Sequence, residues 1–258
     1  MKIFIDSADL EEIKEALSWG IVSGITTNPS LIKKAIFGKN IAMAGYLKDI
    51  LNAADGRPVS LEVDGREISG KLEGKITTER MVAEAVNIYH KMGSAKGLNI
   101  KIPLNPATND KDNNQYDGLK AISQLEKQNI PVNATLIMTP EQALLAAAAG
   151  ASYISPFLGR IDDYTKEGNN NNNGIGSGTE LIQETMNVLR PYHYKTQVIA
   201  ASIRNSQHVL ESAKAGAHIA TIPFSVLRAM ASHPKTYEGV ERFVKDMVPE
   251  YTAFFREK

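Results

Sequence analysis

The sequence predicts an α/β protein folded as a single (β/α)8 TIM barrel with a C-terminal helical extension. Short β-rich runs alternate with helical patterns about eight times, as in a closed parallel barrel. The length of 258 residues suits such a barrel as one unit. No composition shift divides the chain, so we expect one domain over residues 1–258, with a helical tail from about 234 to 258.

The predicted strands are short runs rich in β-branched and apolar residues, at 2–6, 24–27, 59–63, 98–102, 132–137, 152–155, 197–200 and 218–222. Helical periodicity predicts the helices between them, at 9–17, 41–52, 80–92, 116–128, 140–149, 180–189, 207–215 and 224–231. Gly150 and Gly216 each follow an alanine-rich helix, where a left-handed C-terminal cap favours glycine.

Two segments do not fit this repeat. Residues 65–78 form a polar, glycine-punctuated insertion, and residues 168–178 include five consecutive asparagines. The asparagine tract has too little apolar surface to offset the entropy of ordering, so we expect it to be mobile. It follows the sixth strand and could form a lid. An inert surface insertion is the simpler interpretation, because loops accept insertions at small cost.

The composition excludes several classes of function. Basic and acidic residues number 29 each, which argues against nucleic acid or an anionic membrane as an obligatory partner. The chain has no cysteine and its five histidines are scattered, so we expect no disulfide and no metal site. It has no glycine-rich nucleotide motif, so no cofactor is expected. The absence of a signal peptide and of an apolar run of ~18 residues predicts a cytoplasmic protein.

Lys101 lies inside an otherwise apolar strand. A charged amine in an apolar wall costs free energy, which a function would explain. Burial favours the neutral amine, and a neutral amine can attack a carbonyl carbon to form a Schiff base. The alternative is that Lys101 lies at the end of the strand and extends its ammonium group into water, as most strand lysines do.

Other functional side chains follow the predicted strands. The carboxyl ends of barrel strands surround one mouth, where catalytic groups gather. The residues expected there are Asp6, Asn28, Glu62, Lys101, Asn133, Thr135, Ser155, Phe157, Arg160, Ser202 and Arg204. Each polar residue also has a structural interpretation. Asn28 and Asp6 could cap helices, and Glu62 could pair with an arginine. Their convergence on one face favours a shared active site.

These residue types suit cleavage of a sugar through an imine. Glu62, Thr135 and a water could relay protons to and from Lys101. The iminium would be an electron sink for breaking the adjacent carbon–carbon bond, with Asp6 as the base. Amides such as Asn28 and Asn133 can bind hydroxyls or the adduct. The donors Arg160, Ser202 and Arg204 suit a terminal phosphate.

Six motifs together resemble the transaldolase family. They are Ile-Asp at 5–6, Thr-Thr-Asn-Pro-Ser at 26–30, Ile-Lys-Ile-Pro at 100–103, Asn-Ala-Thr-Leu-Ile at 133–137, Ser-Pro-Phe-Leu-Gly-Arg at 155–160 and Ala-Ser-Ile-Arg at 201–204. The resemblance extends from residue 1 to about 234 and is closest to the short branch, which includes the fructose-6-phosphate aldolases. That branch forms pentamers or decamers, so the resemblance implies a homo-oligomer.

The resemblance implies a role for each matched residue. Lys101 would form the Schiff base, Asp6 would act as acid and base at the cleavage step, and Glu62 and Thr135 would hold the catalytic water. The substrate would contact Asn28, Asn133, Ser155 and Phe157, and its phosphate would bind Arg160, Ser202 and Arg204. Glu62 and Phe157 stand where the aldolase branch has glutamine and tyrosine, which favours transaldolase.

The implied reaction belongs to the non-oxidative pentose phosphate pathway. A dihydroxyacetone unit would move from sedoheptulose 7-phosphate to glyceraldehyde 3-phosphate. Two alternatives stay open: an aldolase that releases free dihydroxyacetone, and a non-catalytic barrel that binds sugar phosphates. The insertions at 65–78, 105–117 and 168–178 depart from the short branch. The amphipathic stretch 237–258 could cover a neighbouring subunit.

Overall fold

The computed structural model describes residues 1–63, 75–169 and 174–255. Its eight strands pair in chain order, all parallel, and close into a barrel. The strands are β1 Lys2–Asp6, β2 Val22–Thr26, β3 Val59–Glu62, β4 Leu98–Pro103, β5 Val132–Ile137, β6 Tyr153–Pro156, β7 Gln197–Ala200 and β8 Ile219–Ile222. This topology confirms the predicted (β/α)8 TIM barrel.

Helices surround the sheet and extend the chain beyond it. They are α1 Leu10–Ser18, α2 Pro29–Ile36, α3 Met43–Ala54, α4 Thr78–Lys91, α5 Asp117–Lys127, α6 Pro140–Ala148, α7 Leu158–Lys166, α8 Gly178–Leu189, α9 Ser206–Ala215, α10 Phe224–Met230, α11 Pro234–Lys245 and α12 Pro249–Phe254. The last two form the predicted C-terminal extension. The sequence interpretation missed α2 and α7. Within the described ranges, no helix is both long and apolar enough to cross a membrane.

The helix ends follow the side chains available to cap them. Asn28 caps α2, and Asp9 caps α1 by accepting the N–H groups of Glu11 and Glu12. Asp6 is therefore not the cap of α1, which removes that interpretation of the residue. Gly150 and Gly216 have φ values of 98° and 86°, so the predicted left-handed caps are confirmed.

The lower half of the barrel interior is filled by side chains. Phe4, Ile199 and Ile219 are buried there, and Tyr153 packs against them. On β2, a Cβ at Gly24 would lie 2.4 Å from the ring of Phe4, so only glycine leaves room for this ring. Phe4 and Gly24 each lie two positions before the last residue of their strand. This layer fills the barrel interior below the carboxyl ends of the strands.

Two of the predicted irregular segments fall largely outside the described residues. The structure describes neither residues 65–74 of the insertion at 65–78 nor residues 170–173 of the asparagine tract. The expectation of mobility in the tract therefore concerns residues outside the described ranges. After the first gap, Thr77 caps α4 by accepting the N–H of Arg80.

Candidate active site

A cavity of about 480 Å³ opens at the carboxyl ends of the strands. All the predicted site residues except Asn133 and Thr135 line it: Asp6, Asn28, Glu62, Lys101, Ser155, Phe157, Arg160, Ser202 and Arg204. These residues are distributed from the first strand to the loop after the seventh. Closure of the barrel therefore brings distant sequence motifs to one mouth.

Lys101 is buried, with 5% of its surface exposed. It lies opposite Glu62 in the β3–β4 register. Its Nζ is 3.1 Å from Oε2 of Glu62 and donates to the carbonyl oxygen of Thr27 at 3.3 Å. The ring of Phe157 lies 5.9 Å from the same nitrogen. Lys101 thus points into the cavity and does not extend into bulk water, so the structural alternative for this residue is wrong.

Glu62 is the direct partner of that amine. Its side chain is 15% exposed, and it pairs with a lysine rather than with the arginine considered from the sequence. A charged pair this far from water needs close geometry to offset its desolvation. The 3.1 Å contact supplies it and places a proton acceptor within reach of the amine.

Asp6 ends β1 beside the same cavity. Thr26 lies opposite it on β2 and donates its hydroxyl to Oδ1 of Asp6 at 2.8 Å. Burial raises the pKa of the Asp6 carboxyl, and nearby Glu62 adds to this effect. The positive charge of Lys101 and the Thr26 hydrogen bond act in the opposite direction. A raised pKa suits a carboxyl group that must take up and return a proton.

A threonine on β8, the strand on the other side of β1, extends this hydrogen-bond chain. The hydroxyls of Thr26 and Thr221 share a buried hydrogen bond. Because Thr26 gives its proton to Asp6, Thr221 must donate to Thr26. Sequence reasoning noted Thr26 among the polar groups at strand ends, but it gave no role to either threonine.

Asn133 lies beneath the cavity floor. Its side chain is fully buried and bonded on both sides. Nδ2 donates to the hydroxyl of Ser60 at 3.0 Å, and Oδ1 accepts the hydroxyl of Ser155 at 2.8 Å. Only Ser155 of this group lines the cavity. The sequence interpretation also missed Ser60, which holds the amide in place.

Thr135 occupies the next inward position on β5. It is fully buried, and its hydroxyl has no hydrogen-bond partner within the described ranges. Asn28, in contrast, combines both roles considered for it. Its Oδ1 accepts the N–H of Leu31 at 2.9 Å as the cap of α2, and the residue lines the cavity. With the oxygen used in the cap, the amide nitrogen is the group suited to a ligand.

The opposite wall of the cavity is basic. Arg160 lies on α7 with its guanidinium 5.1 Å from the centre of the Phe157 ring. Arg204 follows β7 and pairs with Asp163 at 3.1 Å, with both side chains about half exposed. Ser202 lies close by and has φ of 60°. A left-handed backbone at a non-glycine residue is uncommon, and such residues occur at functional sites as well as in turns.

The comparisons with known proteins agree on one family. A family model described as Transaldolase/Fructose-6-phosphate aldolase matches residues 3–256. A probable transaldolase of Aquifex aeolicus is 44% identical over 97% of this chain and 99% of its own. One from Caldicellulosiruptor saccharolyticus is 47% identical over 95% and 96%. Another, from Petrotoga mobilis, is 40% identical over 100% and 99%.

Proposed function

The chain belongs to the transaldolase/fructose-6-phosphate aldolase family, and from that membership we propose a transaldolase acting through a Schiff base on Lys101. It would move a dihydroxyacetone unit from sedoheptulose 7-phosphate to glyceraldehyde 3-phosphate. The observation that supports this most strongly is the buried Lys101–Glu62 pair, with a contact of 3.1 Å, at the base of an open cavity. A buried amine beside a proton acceptor is the arrangement that imine formation requires.

The proposed reaction begins with proton transfer. Glu62 takes a proton from the Lys101 ammonium, and the neutral amine attacks the ketose carbonyl carbon. Loss of water from the carbinolamine gives an iminium. A water held by Glu62 and the unpartnered hydroxyl of Thr135 would carry protons in these steps. Glu62 gives its proton to the departing hydroxyl of the carbinolamine, which leaves as water, and the Glu62 carboxylate is then the counter-charge of the iminium.

Carbon–carbon cleavage follows from the position of Asp6. Its carboxylate takes the proton of the hydroxyl on the carbon that leaves as an aldehyde, and the electrons of the broken bond move into the iminium. The resulting enamine stays covalently bound. It then attacks the aldehyde carbon of the acceptor, Asp6 returns its proton to the new hydroxyl, and hydrolysis frees Lys101.

Substrate recognition would be divided between the two walls of the cavity. Asn28 and Ser155 offer hydrogen bonds to hydroxyls near the reacting carbons, and Asn133 holds Ser155 in place. Arg160, Ser202 and Arg204 offer donors to a terminal phosphate. Arg204 would exchange its ion pair with Asp163 for the phosphate.

Transfer is favoured over simple aldol cleavage by Phe157. The aldolase outcome requires the bound enamine to gain a proton before an acceptor arrives. The ring lies 5.9 Å from Nζ of Lys101 and has no hydroxyl to supply that proton. Turnover of fructose 6-phosphate should therefore depend on added erythrose 4-phosphate. Turnover independent of that acceptor would identify an aldolase instead.

Borohydride trapping tests the covalent step. With fructose 6-phosphate present, reduction should add a dihydroxyacetone-derived mass to the peptide that contains Lys101, and Lys101→Met should abolish the addition. Lys120→Met is the matched control, because Lys120 is exposed on α5 and pairs with Asp117 of the same helix. Sugar-phosphate binding without any trapped mass would instead identify the non-catalytic alternative.

Arg204→Ala tests the phosphate site. Loss of the guanidinium should raise KM for fructose 6-phosphate by about tenfold or more, because a hydrogen bond to a charged group contributes roughly 1.5–3 kcal/mol. Its effect on kcat should be smaller, since the arginine lies away from the reacting carbons. Steady-state kinetics measure both values, and a large loss of kcat at unchanged KM would contradict this assignment.

A further inference from the structure

A histidine in the first turn of α9 connects the loop of Arg204 to α7. The side chain of His208 is 12% exposed, and both ring nitrogens have partners. Nδ1 accepts the backbone N–H of Arg204 at 3.3 Å, and Nε2 lies 3.1 Å from Oδ2 of Asp162. This pattern is that of a neutral ring that carries its proton on Nε2.

Asp162 is fixed from a second direction. Its Oδ1 accepts the N–H of Gly178 at 2.7 Å, at the first residue of α8, and its side chain is 22% exposed. The start of α7 also packs tightly on the loop after β7. A Cβ at Gly159 would lie 2.1 Å from the carbonyl oxygen of Ser202. Asp162 is therefore a rigid support for the ring of His208.

We propose that His208 is a positioning residue that fixes the backbone of Arg204. The guanidinium of Arg204 then approaches a substrate phosphate in a fixed orientation. The proposal rests on the proposed function. The Arg204 side chain is half exposed and pairs with Asp163 on α7, so it can change partners when a phosphate arrives. The backbone must stay in place during that exchange, because alignment lost at a binding group lowers affinity and rate.

A purely structural role for His208 predicts a different result. The residue is at the third position of α9, where side chains often satisfy free N–H groups at a helix start. Its own N–H is already accepted by Oδ1 of Asn205, the cap of α9. If His208 only stabilised this helix end, replacing it would lower the melting temperature and leave phosphate recognition unchanged.

Two substitutions test the contacts of the two ring nitrogens separately. His208→Asn places a carbonyl oxygen near the position of Nδ1 and keeps an acceptor for the Arg204 N–H. His208→Gln places its amide nitrogen near Nε2, which keeps the contact with Asp162 and removes that acceptor. The pair is matched in size and polarity. It therefore tests the Arg204 contact against the Asp162 contact.

The readout is the ratio of kcat/KM for erythrose 4-phosphate to that for erythrose, with fructose 6-phosphate as donor. The acceptor reacts with an adduct already formed, so its kcat/KM does not include donor binding. We expect His208→Gln to lower the ratio about tenfold, the scale of one weakened charge-assisted contact. His208→Asn should stay within about twofold of the wild type, the usual scatter of such values.

Two outcomes would overturn the proposal: an unchanged ratio in His208→Gln together with a lower melting temperature, or equal losses in both variants. Binding of inorganic phosphate, measured by calorimetry, provides a test that needs no turnover. Weaker binding to His208→Gln than to His208→Asn and the wild type supports the proposal, and equal binding by all three overturns it. Failure of the proposed function would appear separately, as absence of trapping on wild-type Lys101.

Discussion

At the scale of single residues, the environment of Asp6 differs most from that of an ordinary aspartate. Burial raises its pKa despite the positive charge of Lys101. Thr26 donates a hydrogen bond to the Asp6 carboxyl, and the hydrogen bond from Thr221 to Thr26 fixes the direction of that donor. The site therefore holds two carboxyl groups in distinct environments. Glu62 pairs with the amine, and in the proposed reaction Asp6 exchanges a proton with the substrate.

Asp6→Asn should remove the base of the cleavage step. We expect kcat for fructose 6-phosphate to fall by about 10²–10⁴-fold, the usual contribution of general acid–base catalysis. Borohydride trapping of the intact ketose on Lys101 should persist, since imine formation does not use Asp6. In the wild type, kcat should decrease as the pH falls through the raised pKa of Asp6. An Asp6→Asn variant with wild-type kcat would contradict the assignment.

The same substitution should stabilise the fold in a pH-dependent way. Because the pKa of Asp6 is raised in the folded protein, its protonated form favours folding, and that stability is lost as the pH rises through the raised value. Asparagine mimics the protonated carboxyl. The melting temperature of Asp6→Asn should exceed that of the wild type near neutral pH. The difference should vanish below the ordinary pKa of 3.8.

Sequence reasoning found the residues that line the cavity better than it found their supports. Lys101, Glu62 and Asp6 were predictable because each is a charged residue within an apolar strand or at its end. Thr221 was not, because its partner Thr26 is 195 positions away and meets it only where β1 and its neighbours close the barrel. Ser60 was missed for the same reason. Its bond to Asn133 crosses from β3 to β5.

At the scale of secondary structure, α7 is the element on which the basic wall depends. It carries Arg160, which faces the cavity, and Asp163, which pairs with Arg204. The sequence interpretation did not predict it because it has nine residues, is mostly polar and has no side-chain cap. The missed α2 starts at the Asn28–Pro29 signal, but its short run was not assigned as a helix. Both helices lie between a strand and the next helix of the repeat, where the alternation of strands and helices predicts no additional helix.

Gly24 accounts for the difference between the predicted and the observed start of the second strand. The sequence interpretation began the second strand at Gly24, whereas β2 begins at Val22. Glycine is unfavourable in strands and obscures the pattern around it. Here it is required because the ring of Phe4 occupies the space where a Cβ would lie. That requirement is visible only when β1 and β2 pair.

Gly24→Ala should therefore destabilise the barrel by about 1–3 kcal/mol, the usual cost of overpacking a core. Gly45→Ala is the matched control. Gly45 lies in α3 with nothing within 4 Å of an added Cβ, so alanine should stabilise the protein by about 0.5–1 kcal/mol. Urea unfolding followed by circular dichroism measures both. Equal stability of the two variants would show that the ring of Phe4 can move aside.

At the scale of the whole molecule, the C-terminal helices leave a large apolar face exposed. Its members are Tyr237, Val240, Phe243, Val244, Met247, Val248, Tyr251, Phe254 and Phe255. Phe243 and Phe254 are each more than 70% exposed. Apolar faces of this extent mark sites of protein association. We propose that this face packs against another copy of the chain, as the expected homo-oligomer requires.

Deleting residues after Val248, or making Phe243→Asp, should reduce the oligomer mass measured by light scattering. The deletion removes α12, and the substitution places an unpaired charge in the apolar face. Tyr192→Asp is the control, because Tyr192 is similarly exposed but lies in the 3-10 turn Arg190–Tyr192 after α8, outside the tail. An unchanged mass in both tail variants would show that this face does not hold the subunits together.

In the proposed reaction, the packed layer of Phe4, Ile199 and Ile219 also bears on the order of events during turnover. These side chains fill the interior below the cavity, so molecules enter and leave through the mouth at the carboxyl ends of the strands. The aldose released from the donor occupies the space that the incoming aldehyde needs. It must leave first, while the dihydroxyacetone fragment stays bound to Lys101 as the enamine. The proposed covalent enamine on Lys101 and the shared mouth together predict substituted-enzyme, or ping-pong, kinetics.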